Sequence, residues 1–295
     1  MGERIPLLLD TDIGTDIDDA LCLAYLLAEP RCELLGVSTV TGQAGERAML
    51  ADAVCRAAGR SEVPIWSGTE APLLAKQGQP EAQQAEVLSR WPHREGFPPC
   101  EAVQRMREVI LARPGEVTLL TVGPLTNVAL LFALDREVPR LLKGLVMMAG
   151  RFFGGRTSEW NASCDSHATA IVMAAQVGRV RIHGLDVTLE CSMPAQACRR
   201  RLKGGALDVV ADMAEVWFRQ RDRIAFHDPL AAVCTFEPGL CAYRRGRVRV
   251  ETCDARALGT TVLEESPGGA HAVAESVDSE RFFELYFAAV RPGGG

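Results

Sequence analysis

The chain has 295 residues, of which 47% are hydrophobic and 24% charged, enough apolar material for a large core in one large or two ordinary domains. A net charge of -6, with no stripe of Lys and Arg, argues against a nucleic-acid scaffold, and the short basic run Arg199, Arg200, Arg201, Lys203 reads as solvated surface. Ten cysteines suggest a disulfide framework by number but not by placement: Cys22, Cys55 and Cys234 sit inside apolar runs, and no CxxC pair or Cys/His zinc spacing occurs. No secretory leader, myristoylation pattern or bilayer-length apolar segment is visible, so a cytoplasmic protein without a membrane partner is expected.

Apolar runs that read as buried strands fall at 5–9, 34–40, 117–122, 144–149 and 180–185. Helical patterns alternate with them at 18–28, 44–58, 125–134, 166–177 and 208–221. This alternation predicts βαβ units and a mostly parallel open α/β sheet with helices on both faces. The stretch 71–100 breaks the rhythm with five prolines and no clear strand; a loop of that length is expected to be functional, and a lid is the natural form. Short strand-like runs at 248–252 and 258–263 and a helix near 279–290 form a C-terminal extension, and the tail 293–295 is expected to fray. The whole of 1–295 reads as one domain.

Five carboxylates lie within ten residues near the start: Asp10, Asp12, Asp16, Asp18 and Asp19. Two unit charges about 4 Å apart repel by roughly 4 kcal/mol at an effective dielectric near 20. Apolar runs flank the cluster, which limits relief by water, so an oxygen-liganded hard cation, Ca2+ or Mg2+, is the economical reading. Asp10 and Asp12 follow the first strand, where open α/β sheets bind ligands. Asp18 and Asp19 open the next helix, where the dipole also favours negative charge. Four more segments put polar residues at strand ends: Thr39–Gln43, Val122–Asn127, Glu159–Asp165 and Phe226–Leu230. Trp217 and Phe218 are candidates to stack on a planar ligand, although their helical spacing also suits the core.

Together the Asp-rich opening, TVTGQ, GPLTN, ExN followed by Asp165, and HDPLA resemble nucleoside hydrolases, the inosine–uridine type N-ribohydrolases, from about residue 5 to 235. The resemblance implies a Rossmann-like domain with Ca2+ at the carboxyl ends of the strands. It implies that Asp12, Asp19, Asp228 and the Val122 carbonyl are ligands, with Asp10 close to the metal behind Asp12. Asp18, Glu159 and Asn161 would bind the ribose hydroxyls, as would Gln43, which stands where many members have Asn. Asp12 would activate water, and His227 would serve the leaving base, with His93 in the proposed lid as a second candidate. A nucleoside substrate and a homodimer or homotetramer are implied in the same way. The opening departs from the common pattern: Ile13 replaces Pro, and two extra residues bring in Asp16, whose side the sequence does not decide. Two other readings remain open at this point. One is a Mg2+-dependent phosphatase of the haloacid dehalogenase type, in which the HDP segment has no role. The other is a non-catalytic, calcium-dependent nucleoside- or sugar-binding protein.

Overall fold

A computed structural model describes residues 4–155 and 157–291; the tail 293–295 lies outside the described residues. Eleven strands occur among them: β1 (Ile5–Thr11), β2 (Cys32–Thr39), β3 (Ile65–Ser67), β4 (Thr118–Thr121), β5 (Gly144–Met148), β6 (Val180–His183), β7 (Ser192–Pro194), β8 (Arg223–Ala225), β9 (Cys241–Val250), β10 (Thr261–Glu265) and β11 (His271–Val277). Nine form one sheet in the order β10-β9-β11-β6-β5-β4-β1-β2-β3, and β7 and β8 form a small antiparallel ribbon. The seven strands from β11 to β3 are mutually parallel; β9 runs against both its neighbours.

The alternation of side chains across a strand explains the two-layered core. In β1, Leu7 and Leu9 join the apolar cluster on one face, while Leu8 joins the cluster on the other, and all three are fully buried. Strand β5 repeats the pattern: Val146 faces the first cluster, Leu145 and Met147 the second. A strand apolar at every position is the mark of a parallel sheet covered on both sides. The helices Asp18–Ala28 and His227–Phe236 pack together on the first face. The last helix, Ser279–Ala289, returns to them: the Tyr286 hydroxyl donates to the Leu21 carbonyl at 3.0 Å, and its ring stacks on Tyr25 at 5.8 Å.

The expected C-terminal extension proves to be an edge of the main sheet, carried by β11 pairing with β6. Its strand β9 starts at Cys241 rather than near 248 because its arginines, on the exposed side, mask the buried positions Gly246 and Val248. Strands β3 and β11 and the helix Ala102–Ala112 were not anticipated. The helix buries Ala102, Met106 and Ile110, a clean four-residue spacing obscured by the proline-rich stretch before it. Within 71–100 the only regular element is a 3-10 helix, Gln83–Arg90.

Candidate active site

Strands β1, β4 and β5 end beside one another, and the chain leaving each contributes to a half-open cavity of about 340 Å³. Asp12, Asp16, Asp18, Asp19, Val122, Glu159, Asn161, His227 and Asp228 line it, together with Thr15, Gln79, Met148, Trp160, Leu185, Trp217 and Arg221. Two helices begin at its floor. One opens with Asp18 and Asp19, the other with His227 and Asp228, and the backbone N–H of Asp228 donates to Asp18 Oδ2 at 3.1 Å. Two residues 210 apart in the chain are thereby held together.

Carboxylate oxygens of Asp18, Asp19 and Asp228 all lie within 4.8 Å of one another, and all three residues are buried. Asp19 Oδ1 accepts from the Thr11 hydroxyl at 2.5 Å and from the backbone N–H of Asp12 at 3.2 Å. Burial, then the neighbouring aspartates, pushes the carboxyls of Asp18, Asp19 and Asp228 well above their ordinary range. Burial likewise raises Asp12, and raises Asp16 to about 6. A buried cation sits close by. Arg47 is fully buried, yet it spends its guanidinium on the Asp12, Ile13, Gly42 and Glu81 carbonyls and the Thr15 hydroxyl rather than on a carboxylate. The remaining negative charge is best relieved by a hard cation, and an all-oxygen donor set fits Ca2+ or Mg2+ rather than a soft metal.

Most of the residues singled out from the sequence meet here. Asp12 Oδ2 accepts from Gln79 Nε2 at 2.9 Å. Asn161 Nδ2 donates to the Val122 carbonyl at 2.6 Å, which leaves that oxygen a second lone pair. Glu159 caps the helix Trp160–Cys164, accepting from the backbone N–H groups of Gly150, Asn161 and Ala162. His227 Nδ1 lies 2.7 Å from the Thr188 hydroxyl, and burial pushes its pKa down to about 4. Asp16, undecided from sequence, faces the cavity, and Trp217 lines it too.

Four candidates are placed elsewhere. Asp10 does not line the cavity: its Oδ1 accepts from Ser38 at 2.5 Å and Asn127 at 2.8 Å, and its Oδ2 is buried without a partner among the described residues. Asp10 is still inside β1, whereas Asp12 follows its last residue, Thr11, so strand alternation no longer governs Asp12; the bonds from Ser38 and Asn127 hold the Asp10 carboxylate off the cavity wall. Gln43 also lies outside the lining; its Oε1 accepts from the Ala82 backbone N–H at 2.7 Å. His93 bonds the Trp91 carbonyl, and Phe218 lies under the Arg199 guanidinium.

The segment 71–100 bonds to the cavity wall and to the neighbouring helix. Gln84 donates to the carbonyls of Thr15 and Asp16, Gln79 reaches Asp12, and Trp91 Nε1 donates to Asp212 at 2.9 Å. Sequence reasoning missed Gln79, Arg47, Trp160 and Arg221. Gln79 sits in a loop without periodicity, and Trp160 Nε1 donates to its Oε1 at 2.7 Å. Arg47 offered one signal, a charged residue amid the small apolar ones of the helix Ala44–Ala57.

Comparison with known proteins agrees with this geometry. A family model described as inosine-uridine preferring nucleoside hydrolase matches residues 7–284. Uridine nucleosidase 1 of Arabidopsis thaliana is 28% identical over 90% of this chain and 83% of its own length. The inosine-uridine preferring nucleoside hydrolase of Crithidia fasciculata is 27% identical over 96% of each. Among solved structures, a plant nucleoside hydrolase superposes with a TM-score of 0.86 at 21% identity, covering 98% of this chain and 99% of that one. A purine-preferring ribonucleoside hydrolase from Gardnerella vaginalis gives 0.84 at 22% identity, covering 97% and 98%. An α/β sheet of this order, acidic strand ends closed by a distant HDP helix, and a family match over nearly the whole length lead to one conclusion: the chain belongs to the inosine-uridine preferring nucleoside hydrolase family, enzymes that hydrolyse N-glycosyl compounds.

Proposed function

We propose that this protein hydrolyses the N-glycosidic bond of ribonucleosides in a Ca2+-dependent reaction, releasing free base and ribose. The observation that carries the reading is the meeting of Asp18, Asp19 and Asp228 within 4.8 Å at a cavity also lined by Asp12 and His227. Asp12, Asp19, Asp228 and the Val122 carbonyl would hold the cation. Once bound, Ca2+ supplies fixed positive charge that orders the ribose hydroxyls and a water molecule.

Breaking the glycosidic bond builds positive charge on the ribose, and a wall of carboxylates stabilises it. Asp12 takes a proton from the attacking water. Gln79 orients the Asp12 carboxylate by its bond to Oδ2. Asp18, Glu159 and Asn161 receive the sugar hydroxyls. Glu159 already accepts three backbone N–H groups, so its carboxylate is fixed before substrate arrives. The departing base gains electrons and needs a donor. His227 is buried and neutral, so it serves as an N–H donor rather than as an imidazolium, and the Thr188 hydroxyl at Nδ1 sets its tautomer. Trp160, Trp217 and Arg221 also line the cavity and are the side chains offered to the base. The phosphatase reading gives Asp228 and His227 no part, whereas both face this cavity.

The test is ribose release from uridine and inosine after chelation, with and without added Ca2+, for the wild type and Asp12→Ala. Release that needs the cation and disappears in Asp12→Ala supports the proposal. Undiminished release in excess chelator, or full turnover by a folded Asp12→Ala, overturns it. Turnover of p-nitrophenyl phosphate in place of nucleosides would favour the phosphatase.

A further inference from the structure

A second cluster of potential ligands lies away from the cavity. His183 ends β6, Cys234 sits in the last turn of the helix His227–Phe236, and Cys241 begins β9. Ligand atoms of these three residues all fall within 4.8 Å of one another, and all three are buried. The two sulfurs are 3.6 Å apart. Thiolates bound at about 2.3 Å to a tetrahedral ion stand roughly 3.8 Å apart, so the pair is already at coordinating separation. A disulfide would need about 2.05 Å. The Tyr243 hydroxyl lies 2.9 Å from His183 Nε2 and supplies a fourth polar group. The Tyr243 hydroxyl also lies against Cys234, so the Nε2 edge of the His183 ring and both sulfurs share one polar group.

We propose that His183, Cys234 and Cys241 form a site for a soft or borderline metal ion of the Zn2+ or Cu+ class. The donor set decides the class: sulfur and imidazole select such ions, while the all-oxygen cavity selects a hard one. Charge favours it too. Binding Zn2+ releases one proton from each thiol, and the two thiolates then cancel the dication in a region with little water. The sequence hides the site because its ligands come from three separate elements, with none of the short spacings that mark zinc motifs. Its position gives it a structural task. Cys234 lies six residues beyond Asp228, about 9 Å along the same helix. A bound ion would clamp the helix carrying His227 and Asp228 to β6 and β9.

The experiment titrates the reduced, metal-stripped, full-length chain with Co2+, whose bonds to sulfur give an intense near-ultraviolet charge-transfer band that oxygen ligands do not. The proposal expects the band to saturate at one equivalent, to be bleached by Zn2+, and to be lost in Cys234→Ser and in Cys241→Ser but kept in Cys22→Ser. If Cys234→Ser loses its native circular dichroism, Cys241→Ala, at the beginning of a strand, takes its place. Zn2+ is also expected to raise the wild-type melting temperature, and not that of the folded Cys241 variant. No band in the wild type, a band unchanged in both site variants, or a Cys234–Cys241 disulfide in the protein as isolated would each overturn it.

Discussion

Asp10→Asn is expected to stabilise the protein at pH 8 and to keep its response to calcium. Burial lifts the Asp10 carboxyl from 3.8 to about 7, against the opposing bonds from Ser38 and Asn127. Below pH 4 the group is neutral in both folded and unfolded chains. Between pH 4 and 7 the folded chain keeps a proton that the unfolded chain has released, so stability falls as pH rises, and the loss is complete above 7. At about 1.4 kcal/mol per pH unit the wild type forfeits roughly 4 kcal/mol across that window. Asparagine keeps an acceptor for Ser38 and Asn127 but sets an amide N–H where Oδ2 has no partner, a cost of about 1–3 kcal/mol. The net expectation is a gain of about 1–3 kcal/mol at pH 8, and a loss of similar size at pH 4. The assay is urea unfolding in chelator at both pH values, repeated with Ca2+. Because Asp10 does not line the cavity but lies within coulombic reach of Asp12, the increment from Ca2+ should persist, reduced by the lost charge. A variant less stable at pH 8, or one that no longer responds to Ca2+, would refute the reasoning and return Asp10 to the metal.

Arg47→Met removes a buried guanidinium from five acceptors and should cost about 3–5 kcal/mol, seen as a large drop in the urea midpoint; an unchanged midpoint would show that the loop 12–15 holds itself. His227→Ala should lower kcat/KM for uridine about a hundredfold but for p-nitrophenyl riboside, whose leaving group needs no help, by less than about threefold. Equal losses on both substrates would assign His227 to positioning alone. Gln79→Ala should lower kcat about tenfold with KM nearly constant, since it orients Asp12 without touching the proposed hydroxyl binders; a change confined to KM would contradict that role.

The sheet was legible in the sequence because Leu7, Leu8 and Leu9 form an uninterrupted apolar run, which only a strand covered on both faces tolerates. The acidic floor was legible for the opposite reason: Asp12, Asp18 and Asp19 make no sense in a core without a shared partner. Gln79 was not legible, because its role depends on where a loop without period is carried by contacts such as Gln84 on Thr15. Asp10, expected behind Asp12, does not itself line the cavity. It is two residues from Asp12, yet its Oδ1 is taken up by Ser38 and Asn127. Gln43 was displaced by a different constraint: it stands at φ 58, a left-handed conformation, and its side chain is taken up by the segment near Ala82.

The cavity has a frame and a rim of different origin. Its carboxylates stand on strand ends and helix starts that are continuous with the core, while Trp217 and Arg221 hang from the end of one helix and the turn after it. Exchange of the rim leaves the frame in register. If the proposed function holds, a lineage built on this plan is free to drift from one nucleobase to another while the sugar chemistry is inherited intact, and laboratory selection for a new leaving group should find its accepted changes clustered between 217 and 221.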